Sequence, residues 1–180
     1  MNVAVCEYGA GNVRSVLLAF ERLGVTARTT TDPQDVVAAD LAVLPGVGSA
    51  RSAMKQLRAT QLDEALRTRR GPTLGICLGL QLALEETEED GGVHGLGLVP
   101  GRAVRIERDR VPRIGWAKVA PGREAYWFAH SYAAETPAAV ATSEGLVAEA
   151  RWGEFTGVQF HPEKSGPAGA RWLERCLSRV

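Results

Sequence analysis

The 180-residue chain is poor in the residues that most often carry chemistry, with three cysteines and three histidines. Cys6, Cys77 and Cys176 are odd in number and far apart, and no pair has redox or zinc-ligand spacing. A disulfide framework and a zinc site are therefore not indicated, and reduced thiols in a cytosolic protein are expected. Charge of one sign is also lacking: 21 basic residues balance 21 acidic ones, which excludes a global field drawing the chain to nucleic acid or a membrane surface. No apolar run approaches the roughly 20 residues of a membrane span. Met1-Asn2-Val3-Ala4-Val5 has no basic leader and reads as a strand, so no signal peptide is expected. These absences describe a cytoplasmic globule, with residues 1–180 as one domain large enough to bury about 70% of its unfolded surface.

What is present is βα alternation. Val3–Cys6 and Leu41–Leu44 read as buried strands and Val25–Thr30 as another strand, and Val13, Val16, Leu17, Phe20 and Leu23 recur at helical spacing between Val3–Cys6 and Val25–Thr30. The first turn, Tyr8-Gly9-Ala10-Gly11-Asn12, resembles a dinucleotide-binding start. Arg14 stands where the third glycine belongs, so a nucleotide site is not expected. Glu85–Asp90 reads as a solvated acidic face and helix end, and His94 as a surface or structural histidine. From Gly101 onward the pattern changes to short strands: 103–106, 117–119, 125–132, 140–142, 146–151 and 155–159. A C-terminal amphipathic helix follows, marked by Ala170, Leu173, Cys176 and Leu177. The expected fold class is α/β, a three-layer flavodoxin-like sheet, mostly parallel, with helices on both faces and antiparallel strands added in the second half.

The chain turns on Gly75-Ile76-Cys77-Leu78-Gly79. Gly-x-nucleophile-x-Gly is the spacing of a nucleophile elbow, with Cys in the place more often held by Ser. A strand-to-helix turn this sharp strains the nucleophile's backbone and leaves no room for side chains two residues away. It also sets the sulfur at a helix N-terminus, where free amides favour a thiolate and can hold an oxyanion. The blander alternative is a buried cysteine between turn glycines. A cysteine nucleophile needs a base. His161 directly follows the strand ending at Phe160, at the same sheet edge, and Glu163 lies two residues on across Pro162. In extended backbone these two share a face, so the carboxylate can orient the imidazole. Pro45-Gly46-Val47-Gly48-Ser49 follows a neighbouring strand at that edge, where glycines let backbone amides approach a substrate.

Gly75–Gln81 together with Gln159-Phe160-His161-Pro162-Glu163 resembles the class I, or triad, glutamine amidotransferases. Within that class, further stretches resemble the glutaminase subunits of imidazole glycerol phosphate synthase, from histidine biosynthesis. These are Tyr8–Asn12 with Ser15, Leu44–Gly48, Ile114-Gly115-Trp116, His130-Ser131-Tyr132 and His161–Ser165. The resemblance implies that Cys77 attacks the side-chain amide of L-glutamine to form a glutamyl thioester, with His161 moving protons and Glu163 orienting it. It implies an oxyanion held by the Leu78 amide and an amide among Gly46, Val47 and Gly48, and glutamine held by Gln81, Ser131 and Tyr132. His130 is given no catalytic role. Ammonia would pass to a (βα)₈-barrel cyclase subunit in a heterodimer, with Asn12, Trp116 and Lys164 at the interface. No metal or other cofactor is implied. The family's glutaminase is nearly silent until the partner binds its ligand, and a peptide flip in Pro45–Ser49 is the expected switch.

Against these family members the chain is short around Pro121-Gly122-Arg123 and between Ser165 and Trp172. Other readings are distinguishable. Pyridoxal phosphate synthase glutaminases tend to carry Gly-Gly-Glu-Ser after the proline, where this chain has Gly46-Val47-Gly48-Ser49. Anthranilate and carbamoyl phosphate synthase glutaminases usually have His where Leu80 stands. A flavodoxin-like binding module would not need Cys77, His161 and Glu163, and a peptidase or esterase would act on other amides and esters.

Overall fold

The computed structural model describes residues 1–9 and 12–180; the Ala10-Gly11 part of the first turn lies outside the described residues. Along the chain run β1 (Asn2–Cys6), α1 (Val13–Arg22), β2 (Thr26–Thr30), α2 (Pro33–Ala38), β3 (Leu41–Leu44), α3 (Ala50–Ala59), α4 (Leu62–Thr68), β4 (Thr73–Ile76) and α5 (Leu78–Ala83). Then come β5 (Glu86–Thr87), β6 (Val93–His94), β7 (Arg102–Arg105), β8 (Arg113–Lys118), β9 (Ala125–His130) and β10 (Tyr132–Glu135). Last are β11 (Ala139–Ser143), β12 (Leu146–Trp152), β13 (Phe155–Val158) and α6 (Gly166–Leu177), with 3₁₀ turns at Glu89–Gly91 and Pro162–Lys164.

The main sheet has strand order β11-β12-β13-β4-β3-β1-β2. Its five strands from β13 to β2 pair in parallel, and β12 and β11 extend it antiparallel. The short buried runs of β1, β3 and β4 have no polar face because helices cover both sides. Their residues alternate between two cores. Val3, Val5, Leu41, Val43, Leu74 and Ile76 pack toward α1 and α6, whereas Cys6, Ala42 and Leu44 pack toward α3 and α4. The late strands do not all join this sheet. β8 and β9 form a separate ribbon, and β10, β7, β5 and β6 a small second sheet.

Two expectations need correction. Glu85–Asp90 does not end a helix: α5 stops at Ala83, and the run forms β5 and a 3₁₀ turn. Nor is it only a solvated face. Ser49 Oγ donates to Asp90 Oδ2 at 2.7 Å, and the Ala50 and Arg51 amides donate to Glu89 and Asp90 at 3.1 Å. These carboxylates cap α3, where free N–H groups and the helix dipole favour negative charge. They therefore hold the end of the Pro45–Ser49 loop.

Candidate active site

The order β13-β4-β3 decides which loops meet. Cys77 leaves the end of the central strand β4, the Pro45–Ser49 loop leaves β3 on one side, and Gln159–Glu163 leaves β13 on the other. All three emerge at the carboxyl edge of a parallel sheet, where α/β folds place their sites. Cys77 has φ +52° and ψ −105°, a conformation rarely adopted by L residues, and it caps α5. A Cβ on Gly79 would lie 1.9 Å from the Leu44 carbonyl oxygen, and one on Gly75 would lie 2.8 Å from the Gly79 carbonyl. A Cβ on Gly46 would lie 2.5 Å from Leu78 Cβ. The glycines thus seat the elbow directly on the end of β3 and its loop, a closer fit than the spacing alone conveys.

His161 and Glu163 meet, but not through the extended backbone expected: Pro162–Lys164 is a 3₁₀ turn that carries Glu163 back onto the ring, and Nδ1 lies 2.7 Å from Glu163 Oε1, with the side chains 0% and 1% exposed. The backbone of His161 is fixed on two sides. Its N–H donates to the Trp127 carbonyl at 2.8 Å, and its carbonyl accepts from Ser165 Oγ at 2.6 Å. With Nδ1 held by the carboxylate, Nε2 is buried and without a hydrogen-bond partner. Burial disfavours the charged ring, but the neighbouring Cys77 sulfur and the hydrogen-bonded Glu163 carboxylate outweigh it and raise the imidazole from 6.5 to about 9. The ring is therefore set between the sulfur and the carboxylate with its reactive nitrogen free.

Asn12 lies against the carboxylate that holds His161. Its side chain is turned inward: Asn12 is 8% exposed and its amide donates to Glu163 Oε1. Trp116 and Lys164 are exposed, as is Ile114, at 62% against 57% for Trp116. In β8 the even-numbered Ile114, Trp116 and Lys118 all face outward, and Trp116 meets Trp127 edge-on at 6.0 Å.

A cavity of about 180 Å³ opens above Cys77, lined by Val47, Gly48, Leu78, Gln81, Glu89 and the Pro112 and Ala129–Tyr132 segments. It therefore gathers Val47, Gly48, Leu78, Gln81, Ser131 and Tyr132 from the expected site; Gly46 lies beneath, packed on Leu78. Glu89 is the residue that the sequence did not offer, since it sits inside an acidic run. Burial and the Asp90 charge raise its carboxyl, against the Ala50 amide that lowers it. His130 is also at the wall, but neutral: burial above all, with the Arg113 charge, pushes it down to about 4. A larger open groove of about 670 Å³ lies over Arg108–Ala117; arginines, the Asp109 and Glu144 carboxylates and Trp116 line it, with no cysteine, serine or histidine among them. Among the described residues no helix is long and apolar enough to cross a membrane.

The chain matches the family described as Glutamine amidotransferase class-I over residues 4–180. It is 42% identical to the imidazole glycerol phosphate synthase subunit HisH of Methanothermobacter thermautotrophicus, across 93% of each chain. With the HisH subunit of Carboxydothermus hydrogenoformans it shares 38% identity, over 94% of this chain and 96% of the relative. It is also 38% identical to the chloroplastic imidazole glycerol phosphate synthase hisHF of Arabidopsis thaliana, covering 97% of this chain and 34% of that one. A crystal structure of a glutamine amidotransferase shares the fold, with TM-score 0.83 at 19% identity over 98% of this chain and 97% of that one.

Proposed function

The chain belongs to the class-I glutamine amidotransferase family, and we propose that residues 1–180 act as one domain, the glutaminase subunit of an imidazole glycerol phosphate synthase in histidine biosynthesis. The observation that carries this reading is the strained Cys77 beside a buried imidazole whose Nε2 is free and whose Nδ1 is held by Glu163. Cys77 Sγ attacks the carboxamide carbon of L-glutamine. The tetrahedral oxyanion is received by the N–H of Leu78, which as the first residue of α5 has no helical acceptor, and by a backbone amide of Gly46–Gly48. His161 Nε2–H protonates the departing nitrogen, the C–N bond breaks, and ammonia leaves a glutamyl thioester. His161 then takes a proton from water, which attacks the thioester and releases glutamate while sulfur leaves as thiolate. Glu163 holds Nδ1–H throughout. Gln81, Ser131 and Tyr132 bind the substrate, and the Glu89 carboxylate at the cavity wall suits its α-ammonium group.

Ammonia passes to a (βα)₈-barrel cyclase subunit docked on the outward face of β8, where Ile114 and Trp116 form an apolar patch, with Lys164 at the same interface. Three unpaired cysteines suit the cytosol as the location. The test is covalent: a γ-electrophilic glutamine analogue labels Cys77, and excess glutamine protects it. An analogue that labels no residue, or labels Cys6 or Cys176 instead, overturns the assignment.

A further inference from the structure

We propose that Gln159 is a positioning residue for the nucleophile, holding the Cys77 sulfur through a side-chain N–H that Gln81 locks in place. This rests on the glutaminase reading for its purpose, but not for its geometry. Gln159 is wholly buried, and a buried carboxamide must have partners for both its ends. Its Nε2 lies 3.5 Å from Cys77 Sγ, and its Oε1 lies 3.1 Å from Gln81 Nε2.

The orientation follows from one carbonyl. The Tyr132 carbonyl can only accept, and Gln81 lies 2.9 Å from it, so that end of Gln81 is the NH₂ group. The second hydrogen of the same NH₂ points to Gln159, which must answer with oxygen. The nitrogen of Gln159 is then the end that faces sulfur. The same carbonyl also accepts from His130 Nδ1 at 2.8 Å, which fixes that ring's tautomer and leaves its Nε2 to accept from Arg113 Nη1 at 3.3 Å. Every member of the chain has its polarity set by the next. Gln159 therefore offers the sulfur a donor in every rotation that the network permits.

An N–H donor favours sulfur as the anion, the attacking form. It also fixes the sulfur opposite the cavity without adding a charge that would compete with His161. Gln81, which lines the glutamine cavity, has both amide hydrogens engaged, so its Oε1 is the atom left for substrate. Substrate contact and sulfur orientation thus share one side chain.

The test uses the full chain and iodoacetamide, with Cys77 alkylation followed by peptide mass spectrometry so that no glutamine chemistry is required. Gln159→Met keeps the length and removes the donor. Loss of a hydrogen bond to a charged group predicts alkylation about tenfold slower at pH 7, with the deficit closing at alkaline pH as the thiol ionises without help. Gln81→Leu, which frees Gln159 to turn away, is expected to show the same trend with a smaller deficit, and Gln159→Glu, which sets a carboxylate against sulfur, a larger one. A pH-independent deficit, or wild-type alkylation by folded Gln159→Met and Gln81→Leu, overturns the proposal. If wild type alkylates normally but never hydrolyses glutamine, the glutaminase reading fails while the positioning of sulfur stands.

Discussion

Gly79→Ala tests the packing of the elbow most sharply, because the substitution adds one methyl and no chemistry. The added Cβ would sit 1.9 Å from the Leu44 carbonyl oxygen, where ordinary contact begins at 3.4 Å. The obstacle is backbone, so it cannot rotate aside, and α5 and the end of β3 must part by about 1.5 Å. That is the separation between the nucleophile with its Leu78 amide and the Pro45–Ser49 loop. A misplacement of about 1 Å costs catalysis on the order of 100-fold, because the oxyanion donors no longer converge. Overpacking of this kind costs roughly 1–3 kcal/mol of stability. The expected result is a folded protein with lowered Tm and a loss of kcat of about 100-fold or more, measured by glutamate release in the assembled complex. Gly122→Ala is the control, since its only neighbour would be the Val119 carbonyl at 3.4 Å. A Gly79→Ala variant with wild-type kcat refutes the claim that close seating of α5 on β3 builds the site.

Other outcomes follow from the same geometry. Glu163→Gln keeps an oxygen for His161 but removes a charge that raises the ring, so the His161 titration followed by NMR drops from about 9 toward 6.5 and glutamate release slows. The two buried histidines pull stability in opposite directions. His161, raised in the fold, stabilises fully below about 6.5, and that contribution is lost as pH rises through about 9. His130, lowered in the fold, stabilises above about 6.5, and its contribution, on the order of 3 kcal/mol, is lost as pH falls through about 4. Urea titrations across pH should therefore show an acid limb that His130→Asn flattens and an alkaline limb that His161→Ala flattens. Trp116→Ala should weaken partner binding by about 2 kcal/mol, roughly 30-fold in Kd, while leaving Cys77 alkylation of the free chain unchanged. Arg69→Leu strips hydrogen bonds from the Val36, Ala39, Gly71 and Pro72 carbonyls at the far edge of the sheet, and should cost about 3 kcal/mol or more by calorimetry without altering alkylation.

Much of this was legible because it is local. Gly75 and Gly79 around Cys77, and Glu163 two residues from His161, are consequences of backbone geometry over five residues or fewer, and spacing records them. The βα alternation placed three loops at one sheet edge for the same reason. What spacing could not record is where distant segments turn their side chains. Asn12 lies 151 residues from Glu163, and only the adjacency of the loops brings its amide onto that carboxylate. Glu89 belongs to a charge run that reads as solvated, yet the short strand β5 carries it back over α3 and onto the cavity wall. The strand runs after Gly101 were readable as strands, but alternation in a strand does not name the sheet it joins, so the β8–β9 ribbon and the small sheet could not be told from additions to the main one.

Cys77, His161 and Glu163 are proposed to hydrolyse glutamine for a cyclase partner. The most direct measurement is glutamate release by the purified chain, alone and with a (βα)₈-barrel cyclase subunit carrying its ribotide ligand. Turnover is expected to be weak alone, strongly stimulated by the liganded partner, and lost in both conditions in Cys77→Ala. Stimulated turnover that survives Cys77→Ala, or none in either condition from a protein whose fold is intact, contradicts this assignment.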